Sequence, residues 1–239
     1  MNIAVLLAGG SGRRMGGPEP KQFIPVAGRS ILEHSIRAFS LNSGIDDIII
    51  VSHADFIDRV THIARPYPKV RHIVPGGKER YDSTLNALKV IREMKSQMNQ
   101  GTQPMPAVNV LIHDAVRCLV SQRIITDCIE ALGSHAAVDV AIACTDTICE
   151  VDADGHIVRI PPRASLRNVQ TPQAFHFETI ARAYEVGLQD PAFVTTDDCG
   201  VVHRYLPDTP ISVVEGEPTN IKITWPEDLI LAEKILSKQ

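Results

Sequence analysis

The stretch "LLAGGSGRRMGGPEPKQF", Leu6 to Phe23, decides how this chain is to be read. It follows the short apolar run "NIAVLL" and holds five glycines, the adjacent pair Arg13–Arg14 and Lys21. A tight turn between strand and helix would account for two glycines. Five of them beside three cations point to a loop whose backbone N–H groups close on an anion, with a helix N-terminus favouring the same charge. Two familiar phosphate loops do not fit. The string Gly-x-x-x-x-Gly-Lys-Ser/Thr is absent. The run Gly10-Ser-Gly12-Arg-Arg-Met-Gly16 is one residue too long for a dinucleotide fingerprint and puts arginines where helix packing wants small residues. The second apolar run, "DDIIIVSH", ends in Ser52 and His53 rather than in a ribose-binding acid. The remaining physical reading is a triphosphate cradle in which Arg14 and Lys21 neutralise charge on the α-phosphate and on a departing pyrophosphate.

Outward from this loop, apolar strand-like runs alternate with helical patterns. "NIAVLLA", "DDIIIVSH", "VNVLIHDA" and "VDVAIACT" are short and continuous, as buried parallel strands are. "SILEHSIRAFSL" is read as a helix with Ser30 and Glu33 at capping-box spacing, and "STLNALKVIREMK" places Leu85, Leu88 and Ile91 on one stripe. "SQMNQGTQPMPA" reads as a loop and "SQRIITDCIEAL" as a helix. "TICEVDADGHIVRI" breaks the rhythm with a hairpin signal around Asp-Ala-Asp-Gly. "ISVVEG" and "IKIT" are read as strands, and "WPEDLILAEKILSK" as a helix with Thr224 and Glu227 as its capping box. The expected fold is α/β and Rossmann-like: one domain over residues 1–239, a predominantly parallel sheet flanked by helices, and an inserted β-hairpin arm at about 145–165.

The 239 residues are 44% hydrophobic, enough for one good-sized core. A net charge of −4 and an aromatic content of 5% argue against a nucleic-acid partner. No run is long enough for a membrane span, and five cysteines without CxxC spacing suggest a reducing, cytoplasmic setting.

The strings "LAGGSGRRMG…PKQF", "PGGKERYDS", "LIHDAVR", "QTPQAF", "TTDD" and "NIKITWPEDL" stand in order along nearly the whole chain. Together they resemble the 2-C-methyl-D-erythritol 4-phosphate cytidylyltransferase family, which includes the ribitol 5-phosphate cytidylyltransferases. The resemblance implies CTP held by Leu7, Ala8, Gly9 and Gly10, by Gly77, Lys78, Glu79, Arg80, Tyr81, Asp82 and Ser83, and by Ala115, with the Ser83 hydroxyl reading the base edge. From the string alone, "PGGKERYDS" is equally a glycine turn before a helix capped by Asp82 or Ser83.

Asp114 leaves the carboxyl end of an apolar strand, where sites in open α/β sheets sit, and is read as the ligand of Mg²⁺ or another divalent cation. His113 is read as a structural hydrogen-bonding residue. The resemblance further implies that Arg117, Thr147, Arg163, Thr171, Thr196 and Lys222 hold the acceptor phosphate, with Arg14, Lys21, Arg163 and Lys222 catalytic. It implies a homodimer in which the arm carries Arg163 and Thr147 into the partner's site. Lys78 and Cys118 depart from the family pattern, which often has an acid and usually a proline there. CTP and an alditol phosphate are the expected substrates. "LAGG" and "TTDDCG" tilt the acceptor slightly toward D-ribitol 5-phosphate over 2-C-methyl-D-erythritol 4-phosphate. A sugar-1-phosphate nucleotidyltransferase and a catalytically inactive nucleotide-binding module are the rival readings. The first should be longer and carry a different base-reading segment, and the second should have lost Arg14, Lys21, Asp114 or Lys222.

Overall fold

The structure, a computed structural model, describes residues 1–10, 15–16, 19–98 and 107–238. Among these, seven strands form one sheet in the order β11 (Ile211–Glu215), β7 (Ala137–Ala143), β10 (Arg167–His176), β6 (Asn109–Asp114), β1 (Asn2–Ala8), β4 (Asp47–Ser52) and β5 (Val70–Pro75). Every pairing is parallel except the two made by β10, which runs antiparallel to both β6 and β7. The expected parallel sheet is therefore present, with one reversed strand inside it.

Burial on both faces explains the continuous apolar runs. In β1, Ala4, Leu6 and Ala8 enter one core while Ile3 and Val5 enter the other. In β4, Ile48 and Ile50 part from Ile49 and Val51 in the same way. The first core is covered by α1 (Ile31–Leu41), α2 (Ile57–Ala64) and α4 (Gln122–Ala131). The second is covered by α3 (Arg80–Met98), α5 (Phe177–Gly187) and α6 (Asp198–Tyr205). A third, smaller cluster joins Val26, Ile31, Val116 and Ile223 to Ala232 of α7 (Pro226–Leu236). Side-chain caps start three of these helices: Ser30, Ser121 and Asp197 accept from the backbone N–H of Glu33, Ile124 and Gly200.

Four local expectations are corrected. Residues 221–224 lie outside the sheet: Ile223 N–H donates to the Val116 carbonyl at 3.0 Å, but the Thr224 N–H turns to a side chain of the helix that follows instead of extending a ladder. Helix α7 starts one residue later than its capping box suggested, because the Asp228 carboxylate, and not Glu227, accepts from the N–H groups of Thr224 (2.7 Å) and Trp225 (2.8 Å). Helix α3 begins at Arg80, so Asp82 and Ser83 lie in its first turn rather than before it. It also runs on through Met98, past the expected start of the polar loop, whose residues 99–106 lie outside those described.

The hairpin appears where the Asp-Gly signal put it. β8 (Glu150–Val151) pairs antiparallel with β9 (Ile157–Arg159), and the Asp152 carboxylate accepts from the N–H groups of Asp154 and His156 across the turn. Two more two-residue strands, β2 (Pro25–Val26) and β3 (Arg29–Ser30), form a small ribbon before α1. No helix of the described residues is long and apolar enough to cross a membrane.

Because the Asp228 carboxylate accepts from both N–H groups that precede α7, Asp228→Ala is expected to lower stability by about 1 kcal/mol. Glu227→Ala should stay within about 0.5 kcal/mol of the parent. Chemical denaturation of the two variants, read at equal slope, checks this.

Candidate active site

The carboxyl ends of β1, β4, β5 and β6 open on one cleft of about 590 Å³. Leu7, Ala8, Gly9 and Gly10 continue β1 into its floor, Gly77 to Arg80 and Ser83 bring the second glycine turn against it, and Asp114 ends β6. Lys21 and Lys222 complete the lining with Gln22, His53, Val116 and Thr224. The glycine loop returns to β1 through a single 3₁₀ turn, Lys21–Phe23, whose polar residues are buried. Gln22 donates to the Ala8 carbonyl at 3.0 Å and Lys21 Nζ to the Ile223 carbonyl at 2.9 Å. One buried lysine thus ties the first loop to the segment that carries Lys222.

In the second turn, Gly77 N–H donates to Ser83 Oγ (3.3 Å) and Glu79 N–H to Asp82 Oδ2 (2.9 Å). A Cβ on Gly77 would lie 2.0 Å from Asp82 Cβ, so only glycine fits this fold-back.

Asp114 is the electrostatic centre. Its Oδ2 accepts from Lys222 Nζ at 2.7 Å and its Oδ1 from Arg80 Nε at 3.3 Å. Burial alone would raise its pKa, but Arg80 and Lys222 outweigh that and hold it well below the usual carboxylate range. Behind it, the Asp114 N–H donates to Thr171 Oγ1 (3.1 Å), which meets His113 Nδ1 (3.0 Å), while His113 Nε2 faces the Arg117 carbonyl (3.1 Å). With its oxygen accepting from Asp114, the Thr171 hydroxyl donates to Nδ1, and Nε2 carries the proton given to Arg117. Burial lowers His113 to about 4 against the pull of Asp114, so it stands neutral and structural, as expected.

The expected site residues divide cleanly. Leu7 to Gly10, Lys21, Gly77 to Arg80, Ser83, Asp114 and Lys222 line the cleft together. Arg117 lies at its back, donating to the carbonyls of Asn220 (2.9 Å) and Val169 (3.3 Å). Thr171 is buried beneath Asp114. Tyr81 turns away to meet Phe193 edge-on at 5.1 Å, Asp82 closes its own turn, and Ala115 is buried in the first core. Thr147 and Arg163 are exposed and bonded to each other at 2.9 Å, and Thr196 is exposed just before α6; none of the three lines the cleft. Arg14 lies outside the described residues.

Sequence reasoning missed Gln22, His53, Val116 and Thr224 on the cleft wall. It also missed Asp198, whose carboxylate grips Arg80 Nη1 at 2.6 Å. The signal for Asp198 was an acid at the head of an apolar helix, next to the capping Asp197.

The chain also resembles known proteins along its length. Residues 2–238 match the family model described as IspD: 2-C-methyl-D-erythritol 4-phosphate cytidylyltransferase. A 2-C-methyl-D-erythritol 4-phosphate cytidylyltransferase of Thermobifida fusca (strain YX) is 42% identical over 239 residues, 98% of this chain and 92% of that protein. The bifunctional ribulose 5-phosphate reductase/CDP-ribitol pyrophosphorylase Bcs1 of Haemophilus influenzae is 41% identical over 241 aligned residues, all of this chain but only 48% of the relative. Among solved structures, the 4-diphosphocytidyl-2C-methyl-D-erythritol synthase of Anaerococcus prevotii DSM 20548 superposes with a TM-score of 0.83 at 34% identity, over 99% of this chain and 96% of the other. The 2-C-methyl-D-erythritol 4-phosphate cytidylyltransferase of Thermus thermophilus gives 0.73 at 27%, over 99% and 100%.

The neutral His113 makes stability depend on pH. Its folded value, about 4, lies below the ordinary 6.5, so the unfolded chain takes up the proton first. The stability it supports is complete above about 6.5 and falls as pH drops toward 4, by up to about 3 kcal/mol. Asp139, raised by burial to about 6, tilts the other way in both parent and variant. Denaturation of the parent and His113→Gln between pH 7 and 4 should therefore show the gap in stability narrowing as pH falls.

Proposed function

The chain belongs to the 2-C-methyl-D-erythritol 4-phosphate cytidylyltransferase family and is a CTP-dependent nucleotidyltransferase, and we propose that it transfers CMP from CTP to the phosphate of a short alditol phosphate in the cleft around Asp114. The observation that carries this reading is the convergence of two glycine turns with Lys21, Arg80, Asp114 and Lys222 at one sheet edge. Residues 1–239 act as a single nucleotidyltransferase domain bearing a β-arm.

In the reaction, an oxygen of the acceptor phosphate attacks the α-phosphorus of CTP, the bond to the bridging α–β oxygen breaks, and pyrophosphate leaves with that electron pair. The nucleophile is already an anion, so no general base is required. The barrier is repulsion between anions, and the chain answers it with charge and placement. The two glycine turns offer backbone N–H groups to phosphates and base. Lys21, fixed by its bond to Ile223, stands where charge gathers on the triphosphate, with Arg14 assigned to the same task. Lys222, Arg117 and Thr171 are assigned to the acceptor side, with Thr196 at its rim.

The Asp114 carboxylate suits a hard divalent cation such as Mg²⁺. Each oxygen takes one cation's hydrogen bond and keeps a lone pair for a metal. Such an ion, held by Asp114 and phosphate oxygens, supplies Lewis-acid neutralisation of the phosphates.

The relatives favour 2-C-methyl-D-erythritol 4-phosphate as acceptor, since the family model and the Thermobifida protein carry that name. D-Ribitol 5-phosphate is the second reading, supported by the CDP-ribitol relative at nearly the same identity and by "LAGG" and "TTDDCG". The arm supports a homodimer: it presents the apolar side chains of Ile148, Val151, Ile157, Val158 and Ile160 to solvent, beside the Thr147–Arg163 pair. In this reading Arg163 and Thr147 serve the partner's site. Five free thiols accord with a cytoplasmic setting.

Pyrophosphate release with Mg²⁺ and CTP, with the two acceptors offered in parallel and UTP as control, decides the substrate. Release with one acceptor only assigns it; release with neither overturns the alditol reading. Arg14→Ala and Lys21→Ala should each lower kcat roughly a hundredfold with a much smaller effect on the KM for CTP. Sedimentation of a variant with Val151, Ile157 and Val158 changed to Ser should show a monomer where the parent is a dimer.

A further inference from the structure

Asp198 is a fully buried carboxylate outside the cleft, and nothing in the reaction scheme uses it. Its Oδ1 accepts from Thr84 Oγ1 (2.9 Å) and Tyr184 OH (2.6 Å), and its Oδ2 accepts from Arg80 Nη1 (2.6 Å). Its backbone N–H donates to Gln173 Oε1 on β10 at 2.9 Å. Four elements thus fix one carboxylate: α3 through Thr84 and Arg80, α5 through Tyr184, β10 through Gln173, and α6, which it begins.

The consequence falls on Arg80. This side chain lines the cleft, gives Nη1 to Asp198 and Nε to Asp114, and among the described residues Nη2 has no protein partner. A guanidinium is planar, so two anchored nitrogens leave the third with no freedom to choose its direction. Burial would lower the pKa of Arg80, but Asp198 and Asp114 raise it instead, so it stays charged throughout. An arginine tethered only to Asp114 would swing with it, whereas one also clamped to a rigid buried anion would not.

We propose that Asp198 is a positioning residue: it clamps Arg80 so that one guanidinium both supports Asp114 and presents its Nη2 edge to the phosphates of CTP. This rests on the reading of the cleft as a CTP site, and goes beyond it by making the second acid of "TTDD" part of the triphosphate grip. Thr84 and Tyr184 serve the same end, because they satisfy the Asp198 oxygen that Arg80 does not reach.

The test is CTP binding by calorimetry with Mg²⁺ and no acceptor, so that it does not depend on which alditol is used. In Asp198→Asn, the oxygen that accepts from Thr84 and Tyr184 can stay, and the amide then sets N–H donors against Arg80 Nη1. The variant should bind CTP about tenfold more weakly or worse. The same substitution made in an Arg80→Ala background should change affinity by less than about twofold, since the residue it acts through is gone. An equal loss in both backgrounds would mean that Asp198 only holds the fold, and tighter binding in Asp198→Asn would mean that it restrains Arg80; either overturns the proposal. If Asp198→Asn does not fold, Tyr184→Phe takes its place, with a smaller loss that must likewise vanish in the Arg80→Ala background. A parent protein that binds no CTP would instead overturn the reading of the cleft itself.

Discussion

The cleft depends on one arrangement of charge: the Asp114 carboxylate held between Arg80 and Lys222, with Asp198 on the far side of Arg80. Read in order, the row alternates negative, positive, negative, positive. Its two carboxylates are not tolerable alone at this depth, because a buried carboxylate left unpaired costs several kcal/mol. Together the four side chains form a neutral unit whose parts come from α3, β6, α6 and the segment after β11. The charged row is therefore also a packing constraint, because moving any of these elements separates opposite charges.

The reversed strand β10 makes this row possible. An antiparallel strand between β6 and β7 lets Thr171 reach the Asp114 backbone from beside it, while Gln173, two residues on, spans to α6. Gln173 Nε2 also donates to Asp139 and Asp197, at 3.1 and 2.9 Å. Its amide therefore ties the N-terminus of α6 to the middle of the sheet, and Asp198, the first residue of α6, is set by that tie. A parallel strand in the same place would need a crossover connection before it, and the hairpin arm occupies the chain that would have made one.

Much of this was legible in the sequence, for physical reasons that differ by element. The runs of β1, β4, β6 and β7 could be read because both faces of the sheet are covered, which makes them apolar without alternation. The hairpin was readable from Asp-Gly, and the glycine turns from residues that no other backbone would need. β10 was not legible: its outer residues Arg167, Asn168 and Val169 are exposed and its inner ones include Gln170, Thr171 and Gln173, so its pattern is polar where it is most buried. Segment 221–224 failed the opposite way, since alternating side chains say only which face is wet and not whether a neighbouring strand is present. The α7 cap was misplaced by one residue because Glu227 and Asp228 are both acids at the right spacing for adjacent N-caps. The role of Asp198 beside the site could not be read from its own segment because Arg80 and Thr84, which it meets, lie in a helix far from it in sequence.

The same row is graded by exposure. Lys222 is the most exposed member, at 41% of its side chain, and Asp198 is the least, at 0%. Exposure sets which pair can be given up: Lys222 can leave Asp114 for a phosphate oxygen at little cost, since water already screens part of its attraction. Arg80 cannot leave Asp198 without stranding a buried anion. The cleft is thus graded from a fixed cation at its wall to an exchangeable one at its mouth. An anion at the mouth meets the exchangeable Lys222, while Arg80, held on Asp198, keeps the Asp114 carboxylate aimed.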